Sequence, residues 1–389
     1  MNLREQWLVN IKNSGAVAER EFTLLERASQ VLMDNIIDSE SEPFKSRRCI
    51  CPSPRTYRGI WNWDSAFHAI AVSRWDPELA KTQLSIFFEY QLPNGLFPDV
   101  IFEDDRIVNE FGKPPVFPWA CVIVYERCRD IAFLKKAYES YKKNEAFWCK
   151  ERREQGEKLF HYDSAPSETW LTNVKYESGL DNSVRWDRKI HELWPVDLNC
   201  FMVDFYESMA FMAKELQNGE EELWRSKKEA LAAAVRELLW DEEDGVFYDT
   251  DRFTGEREKV LSPAIFQPLF AGVATVEQGR KLAVLAASPN KFFPGIPTVS
   301  YDNPKYTEDT FWRGPMWMNL AYFTVKGLER YGYGDLAEKF TENILSWVSK
   351  NTEDIYEYYN SKSGQGLGAV HFGWSSAFII ELINPPFVY

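Results

Sequence analysis

Apolar residues recur at helical spacing along this chain from near its start to its end, and that periodicity limits the available folds more than any other feature. The stretch EELWRSKKEALAAAVRELLWDEEDG places Leu223, Leu231, Ala234, Val235, Leu238 and Leu239 largely on one face, with Gly245 as a stop signal. The same reading predicts helices over 16–37, 77–92, 117–150, 198–216, 275–287, 316–332, 334–350 and 373–383. Several of these are apolar around much of their circumference, as helices enclosed by a second layer must be. Strand signals are few; 158–163 (KLFHYD) and 245–251 (GVFYDTD) suit small hairpins.

The loops between these helices are unusual. RTYRGIWNWDSAF, QLPNGLFPDVIF, GKPPVFPWA, YESGLDNSVRWD, FFPGIPTVSYDNP, TFWRGPMWMN and YEYYNSKSGQGLGAVHFGW mix Trp, Pro, Gly, Asn and carboxylates. Loops that only turn the chain are small and polar. Loops loaded with aromatics on rigid helices build sites. With Asp64, Asn94, Trp119, Asp181, Trp312 and Glu357 as markers, the gaps are 30, 25, 62, 131 and 45 residues, most of them one helical hairpin or a small multiple. Hairpins that each return a decorated loop to the same end predict a closed barrel of helices, inner ring and outer ring. No linker divides the chain, so 1–389 is expected to form a single domain.

Composition excludes several function classes. A formal charge of -14 argues against nucleic acid, whose phosphates want a basic face, and against an anionic membrane. No apolar run approaches the ~20 residues of a membrane span. The first residues, MNLREQWLVNIKNSG, carry charges and no apolar signal core, so a cytoplasmic protein with reduced cysteines is expected. The four histidines have no metal-ligand spacing, and GxSxG, phosphate-loop and dinucleotide fingerprints are absent. The expectation is therefore an enzyme without metal or cofactor, with a small carbohydrate as its partner. Aromatic residues make up 15 % of the chain, and such rings pack cores or stack on the apolar faces of sugars.

Carboxylates beside aromatics suit glycoside hydrolysis. One carboxylic acid protonates the leaving oxygen, while a second carboxylate activates water or attacks the sugar. YESGLDNSVRWD alone carries Glu177, Asp181 and Asp187.

That segment closely resembles the ESGxDNSPRW segment of glycoside hydrolase family 63, and more loosely its counterpart in family 37 trehalases. WNWDSAF, LPNGLFPD, FWRGPMW and YEYYNSKSGQGLGAVHFGW resemble the remaining signatures in the same order, over roughly residues 50–385. The resemblance implies an all-α (α/α)6 barrel with short β-hairpins in its loops. It further implies an inverting, exo-acting α-glycosidase, foremost an α-glucosidase on a short substrate.

Carried over by position, the general acid falls on Asp181 and the general base on Glu357. Gly179 permits a tight turn, and Leu180 and Trp186 are placed to desolvate the acid and raise its pKa. Asp64 aligns with an aspartate that holds sugar hydroxyls, though it also stands where a helix cap could. Asn94 matches a family asparagine and is equally half of an Asn-Gly turn pair. Trp61, Trp63, Trp312, Trp317 and Trp374 are stacking candidates, and Arg185 and Arg313 orient carboxylates, bind hydroxyls or form structural ion pairs.

Three departures stand out. Val184 replaces the usual proline, Gln365 stands where glutamate is common, and Arg55 and Arg58 lack the trehalase spacing. The compact bacterial members that hydrolyse mannosylglycerate or glucosylglycerate are the alternative reading, with a trehalase-like disaccharide hydrolase behind it. A sugar epimerase or isomerase on the same barrel would want paired histidines in the pocket, for which only His68 and His371 lie near the decorated loops. A sugar-binding protein without catalysis would have no need of both carboxylates.

Overall fold

The computed structural model describes residues 1–384; positions 385–389 of the expected domain lie outside the described residues. In chain order the helices are α1 (Leu3–Ser14), α2 (Glu19–Asp34), α3 (Asn62–Val72), α4 (Pro77–Glu89), α5 (Phe117–Cys128), α6 (Ile131–Glu151) and α7 (Trp170–Glu177). They continue with α8 (Val196–Glu215), α9 (Glu221–Leu239), α10 (Gln267–Phe270), α11 (Val276–Ala286), α12 (Met318–Arg330), α13 (Gly334–Lys350) and α14 (Gly373–Ile383).

Local chemistry starts and stops these helices. Asn2 and Glu5 form a capping box on α1, and Thr275 and Gln278 form another on α11. Asp76 caps α4 ahead of Pro77. The run 117–150, expected as one helix, is two. Arg129 turns left-handed at φ 53°, and the Asp130 carboxylate accepts from the Ala132 and Phe133 N–H groups to begin α6. Periodicity survives that break because both halves bury apolar faces.

Helices α3, α5, α8, α10, α12 and α14 pack each against the next, and α14 returns to α3, closing a ring. Outside it, α2 lies on α14 and α3, α4 on α3 and α5, α6 on α5 and α8, α9 on α8, and α13 on α12. This is the (α/α)6 barrel. Position in the rings explains the hydrophobic patterns. Every residue of α3 is buried, polar ones included, whereas α9 buries one face only. On α9 that face holds Trp224, while Leu223, expected inward, is exposed. The sequence reading passed over α1, α3, α7 and α10, touching α3 only through a candidate cap at Asp64; α10 is short and, with the 3₁₀ turn Pro263–Phe266 before it, interrupted by two prolines.

Short strands sit in the connections. β1 (Gly59–Trp61), β2 (Val100–Phe102) and β3 (Ile107–Val108) form an antiparallel sheet, with Trp61 opposite Val100. β4 (Leu193–Trp194), β7 (Asp249–Asp251) and β8 (Arg257–Glu258) form a second, and β5 (Trp240–Asp241) pairs with β6 (Val246–Phe247). β9 (Tyr356–Tyr359) pairs with β10 (Gly366–Val370), Tyr358 opposite Leu367. The strand expected over 158–163 does not form. There the Asn199 side chain takes both backbone groups of Phe160, at 2.8 and 3.0 Å, which satisfies them without a ladder.

Candidate active site

A pocket of about 440 Å³ opens among the decorated loops, and three of its walls are carboxylates: Asp64, Asp181 and Glu357. Asp64 lies in the first turn of α3, directly after β1. The helix begins at Trp61 with no side-chain cap, so Asp64 does not serve as a capping residue. Only 4 % exposed, its carboxyl is raised by burial to about 8, against the opposing charge of Lys113.

The three carboxylates of YESGLDNSVRWD go to three different environments. Glu177, at the end of α7, is fully buried and grips Arg152 through both oxygens, at 2.8 Å each, while also accepting from the Asp163 N–H. Asp187 stays near the surface, held down to about 2 by Arg313 and Lys305. Asp181, between them, turns into the pocket. Burial raises its pKa, with Lys113 opposing.

Gly179 makes that turn possible. Its φ is +71°, and a Cβ there would collide with the indole of Trp63, another pocket wall. The usual proline is replaced by Val184, which starts a 3₁₀ turn whose Arg185 N–H is accepted by Ser183 Oγ. Asn182, next to the acid position, ties this turn to the opposite loop. Its side chain accepts from the Trp312 N–H at 3.0 Å, and its carbonyl accepts from Arg313 at 3.0 Å.

Glu357 is presented by β9. Tyr57 O–H donates to its Oε1 at 3.1 Å, and the Ala369 N–H of β10 donates to its Oε2 at 2.9 Å. Both bonds favour the ionised form; burial and the nearby Asp181 charge push the other way, and the net shift is upward. Gly368 is required beside it, since a Cβ there would lie 2.6 Å from Oε2. Trp317 forms the aromatic floor, stacked on Trp312 at 3.6 Å and on Tyr358 at 4.7 Å.

All five expected tryptophans, Trp61, Trp63, Trp312, Trp317 and Trp374, line this pocket with the three carboxylates. The other expected contacts go elsewhere. Asn94 lies outside it, exposed, its side chain accepting from the Leu96 N–H within its own turn. Arg185 is buried behind the wall, clamped between Asp197 and Asp249 by four hydrogen bonds of 2.6–2.9 Å. Arg313 is engaged with Asp187 and Asn182.

Leu180 and Trp186 do not line the pocket either; Trp186 lies under the Arg185 guanidinium, 4.3 Å from it. Gln365 is exposed. No histidine lines the pocket: His68 is enclosed in α3 with its pKa lowered to about 3, and His371 pairs with Asp354. Among the described residues no cluster could hold a metal ion, and no helix is long and apolar enough to cross a membrane.

Sequence reasoning missed Pro52, Tyr57, Lys113, Phe311 and Phe372, which complete the lining. Lys113 was marked only by its setting, a lone cation in the proline- and aromatic-rich loop GKPPVFPWA. Tyr57 carried no signal, since its reach to Glu357 spans 300 positions.

Comparison with known proteins agrees with this geometry. The family model of the mannosylglycerate hydrolase MGH1-like glycoside hydrolase domain matches residues 57–375. The mannosylglycerate hydrolase of Rubrobacter radiotolerans is 25 % identical, over 85 % of this chain and 92 % of its own length. The enzyme of the same name from one strain of Thermus thermophilus is also 25 % identical, over 85 % and 95 %. Among solved structures, the family 63 mannosylglycerate hydrolase from another strain of Thermus thermophilus, complexed with Tris and D-glycerate, superposes with a TM-score of 0.80 at 22 % identity, covering 92 % of this chain and 99 % of that one. The neutral trehalase Nth1 of Saccharomyces cerevisiae follows with a TM-score of 0.70 at 17 % identity, covering 92 % and 80 %.

Proposed function

The chain belongs to the MGH1-like mannosylglycerate hydrolase family of glycoside hydrolases, and on that premise we propose that it cleaves mannosylglycerate or glucosylglycerate with inversion. Relatives from Rubrobacter radiotolerans, Thermus thermophilus and Selaginella moellendorffii, all named mannosylglycerate hydrolases, favour this over the α-glucosidase expected first from sequence.

The observation that carries the reading is one pocket with three carboxylates in unequal settings. Asp64 is the deepest of the aspartates at 4 % exposure, on the inner ring, and so meets the terminal sugar. Asp181 is half-buried, and in this reading it meets the glycosidic oxygen of an exo-bound substrate. Its raised pKa keeps a proton available for that oxygen. Glu357, held by two donors, is oriented as a base.

In the reaction, Asp181 transfers its proton to the glycosidic oxygen as the anomeric carbon–oxygen bond breaks. Glu357 takes a proton from water, whose oxygen bonds to the anomeric carbon from the opposite face. The products are the free alcohol and a sugar of inverted configuration, with the proton from water left on Glu357. A separation of about 6.5–9.5 Å between the two carboxyls is what this geometry demands.

A second reading, a neutral α-glucoside such as a disaccharide, is favoured by the lining itself. Lys113 is its only cation, and that ammonium is paired with Asp99 at 3.2 Å. Proton NMR of anomeric signals in the first minutes, on mannosylglycerate, glucosylglycerate, kojibiose, nigerose, maltose and trehalose, separates the readings. Early β-anomer from a glycerate conjugate is expected. Early β-anomer from a disaccharide alone moves the assignment to the second reading, and early α-anomer from a glycerate conjugate, or from a disaccharide without any early β-anomer of the cleaved sugar, overturns the acid–base pairing.

A further inference from the structure

The pocket contains a cation that the acid–base pair does not use. Lys113 follows Phe111 and Gly112 in the loop between β3 and α5, and it is 9 % exposed. Its ammonium lies 3.2 Å from Asp99 Oδ1 and donates to the Tyr176 carbonyl. Phe111 covers one side, its ring centre 5.4 Å from Nζ. An ammonium has three N–H donors; the Tyr176 carbonyl accepts one, and Asp99 pairs by charge, its Oδ1 receiving no hydrogen bond. The residue also lines the pocket shared by Asp64 and Asp181.

Burying a lysine is costly unless it is paired and its remaining donor finds an acceptor. Asp99 supplies the pairing; an acceptor for a remaining donor can come from whatever fills the pocket.

We propose that Lys113 is a specificity-determining residue of the terminal-sugar subsite, donating a remaining N–H to one ring hydroxyl and holding positive charge among the aspartates around it. The inference rests on the hydrolase reading above, and it assigns the donor half of sugar recognition to a side chain that the acid–base mechanism leaves idle. A hydroxyl set between this ammonium and the Asp64 carboxyl would accept from one and donate to the other. A sugar lacking that hydroxyl, or with it inverted, would leave Lys113 unsatisfied and be rejected. Neutral pyranoses are the substrate class at this end, because Asp64, Asp181 and Glu357 outnumber the lysine.

The charges around Lys113 are Asp99 beside it, Asp64 on α3, Asp181 on its loop, Glu357 on β9, and Glu177 on α7 already neutralised by Arg152. Tyr57 stands with Glu357. Lys113 opposes the upward shifts of Asp64, Asp99 and Asp181, whereas the shift of Glu357 has no contribution from it. Removing the charge therefore raises the acid without moving the base. The alkaline limb of kcat/KM, set by loss of the Asp181 proton, rises in pH; the acidic limb, set by Glu357, stays.

The test compares wild type with Lys113→Met, Lys113→Arg and the charge-balanced pair Lys113→Met/Asp99→Asn, which leaves no unpaired buried charge if the single variant misfolds. Each is assayed on the cleaved glycoside and on its 2-, 3-, 4- and 6-deoxy analogues across pH. Expected are a roughly 10- to 100-fold loss in kcat/KM for Lys113→Met, one deoxy analogue that loses nothing further in that variant, a raised alkaline limb, and recovery of that limb in Lys113→Arg. Independent losses for all four analogues with an unmoved alkaline limb would overturn the proposal.

If wild type cleaves none of the glycosides, the hydrolase reading fails, and tryptophan-fluorescence titration with free mannose and glucose still decides Lys113. Equal binding by wild type and the charge-balanced variant overturns its role, and binding weakened at least tenfold supports it.

Discussion

Two sets of buried carboxylates lie within a few residues of each other in this molecule, and they are treated in opposite ways. Behind the pocket, Asp197 and Asp249 share Arg185, and Glu177 holds Arg152, so each buried negative charge has a guanidinium partner. Inside the pocket, Asp64, Asp181 and Glu357 face one another with a single lysine among them. The first set ties together elements distant in the chain. Asp197 opens α8, Asp249 lies in β7, and Arg185 follows the acid loop. The second set resists ionisation, and all three of its pKa values are raised. Paired burial holds the loops in place; unpaired burial raises the carboxyls and favours their protonated forms.

The contrast breaks most visibly at the reacting groups. Asp181→Asn and Glu357→Gln are each expected to lower kcat by about 10²–10⁴-fold with the fold retained; near-wild-type turnover in either would remove that residue from the mechanism. In the scaffold set, Arg185→Met leaves two buried carboxylates unpartnered and is expected to cost about 3–5 kcal/mol, read by urea unfolding. A cost below about 1 kcal/mol would mean that the clamp contributes little net stability.

Neutralising a pocket carboxylate should have the opposite sign. Folded Asp64 keeps its proton to about 8, whereas unfolded it ionises near 3.8, so between these values the native state binds more protons and loses stability as pH rises. Asp64→Asn is therefore expected to melt above wild type at pH 8, with the gain gone below about pH 4, and thermal unfolding at the two pH values reads it directly.

Smaller still is Tyr57→Phe, which removes one donor from Glu357. We expect about a tenfold loss in kcat/KM and an acidic limb moved to higher pH, because the base then ionises less readily. An unmoved limb would detach Tyr57 from the base. Asn94→Ala, in an exposed turn outside the pocket, should change stability by about 0.5 kcal/mol or less and leave turnover unchanged; a marked loss of activity would return Asn94 to the substrate.

Much of this was legible in the sequence, and the reason is local. Helical periodicity depends only on which neighbours are apolar, so nine of the expected stretches contain helices of the barrel. The motif carboxylates and tryptophans were legible because each stands in an aromatic-rich stretch that resembles a family signature, whichever element that stretch ends in. Asp64, Asp181 and Glu357, from α3, a tight turn and β9, were all marked this way.

What local pattern does not contain is the direction in which a charged side chain points. Glu177, Asp181 and Asp187 lie within one dozen-residue stretch, yet only packing against Arg152, the pocket and Arg313 separates a strut, a pocket wall and a surface pair. The same holds for Arg185, expected at the substrate and found in the scaffold, and for Lys113 and Tyr57, whose partners arrive from other parts of the chain. The sequence by itself determined the barrel and which loops hold the chemistry, because periodicity and composition are short-range properties. The tertiary structure decided which charges are neutralised and which remain reactive, because desolvation and ion pairing depend on residues that meet only when the ring of helices closes.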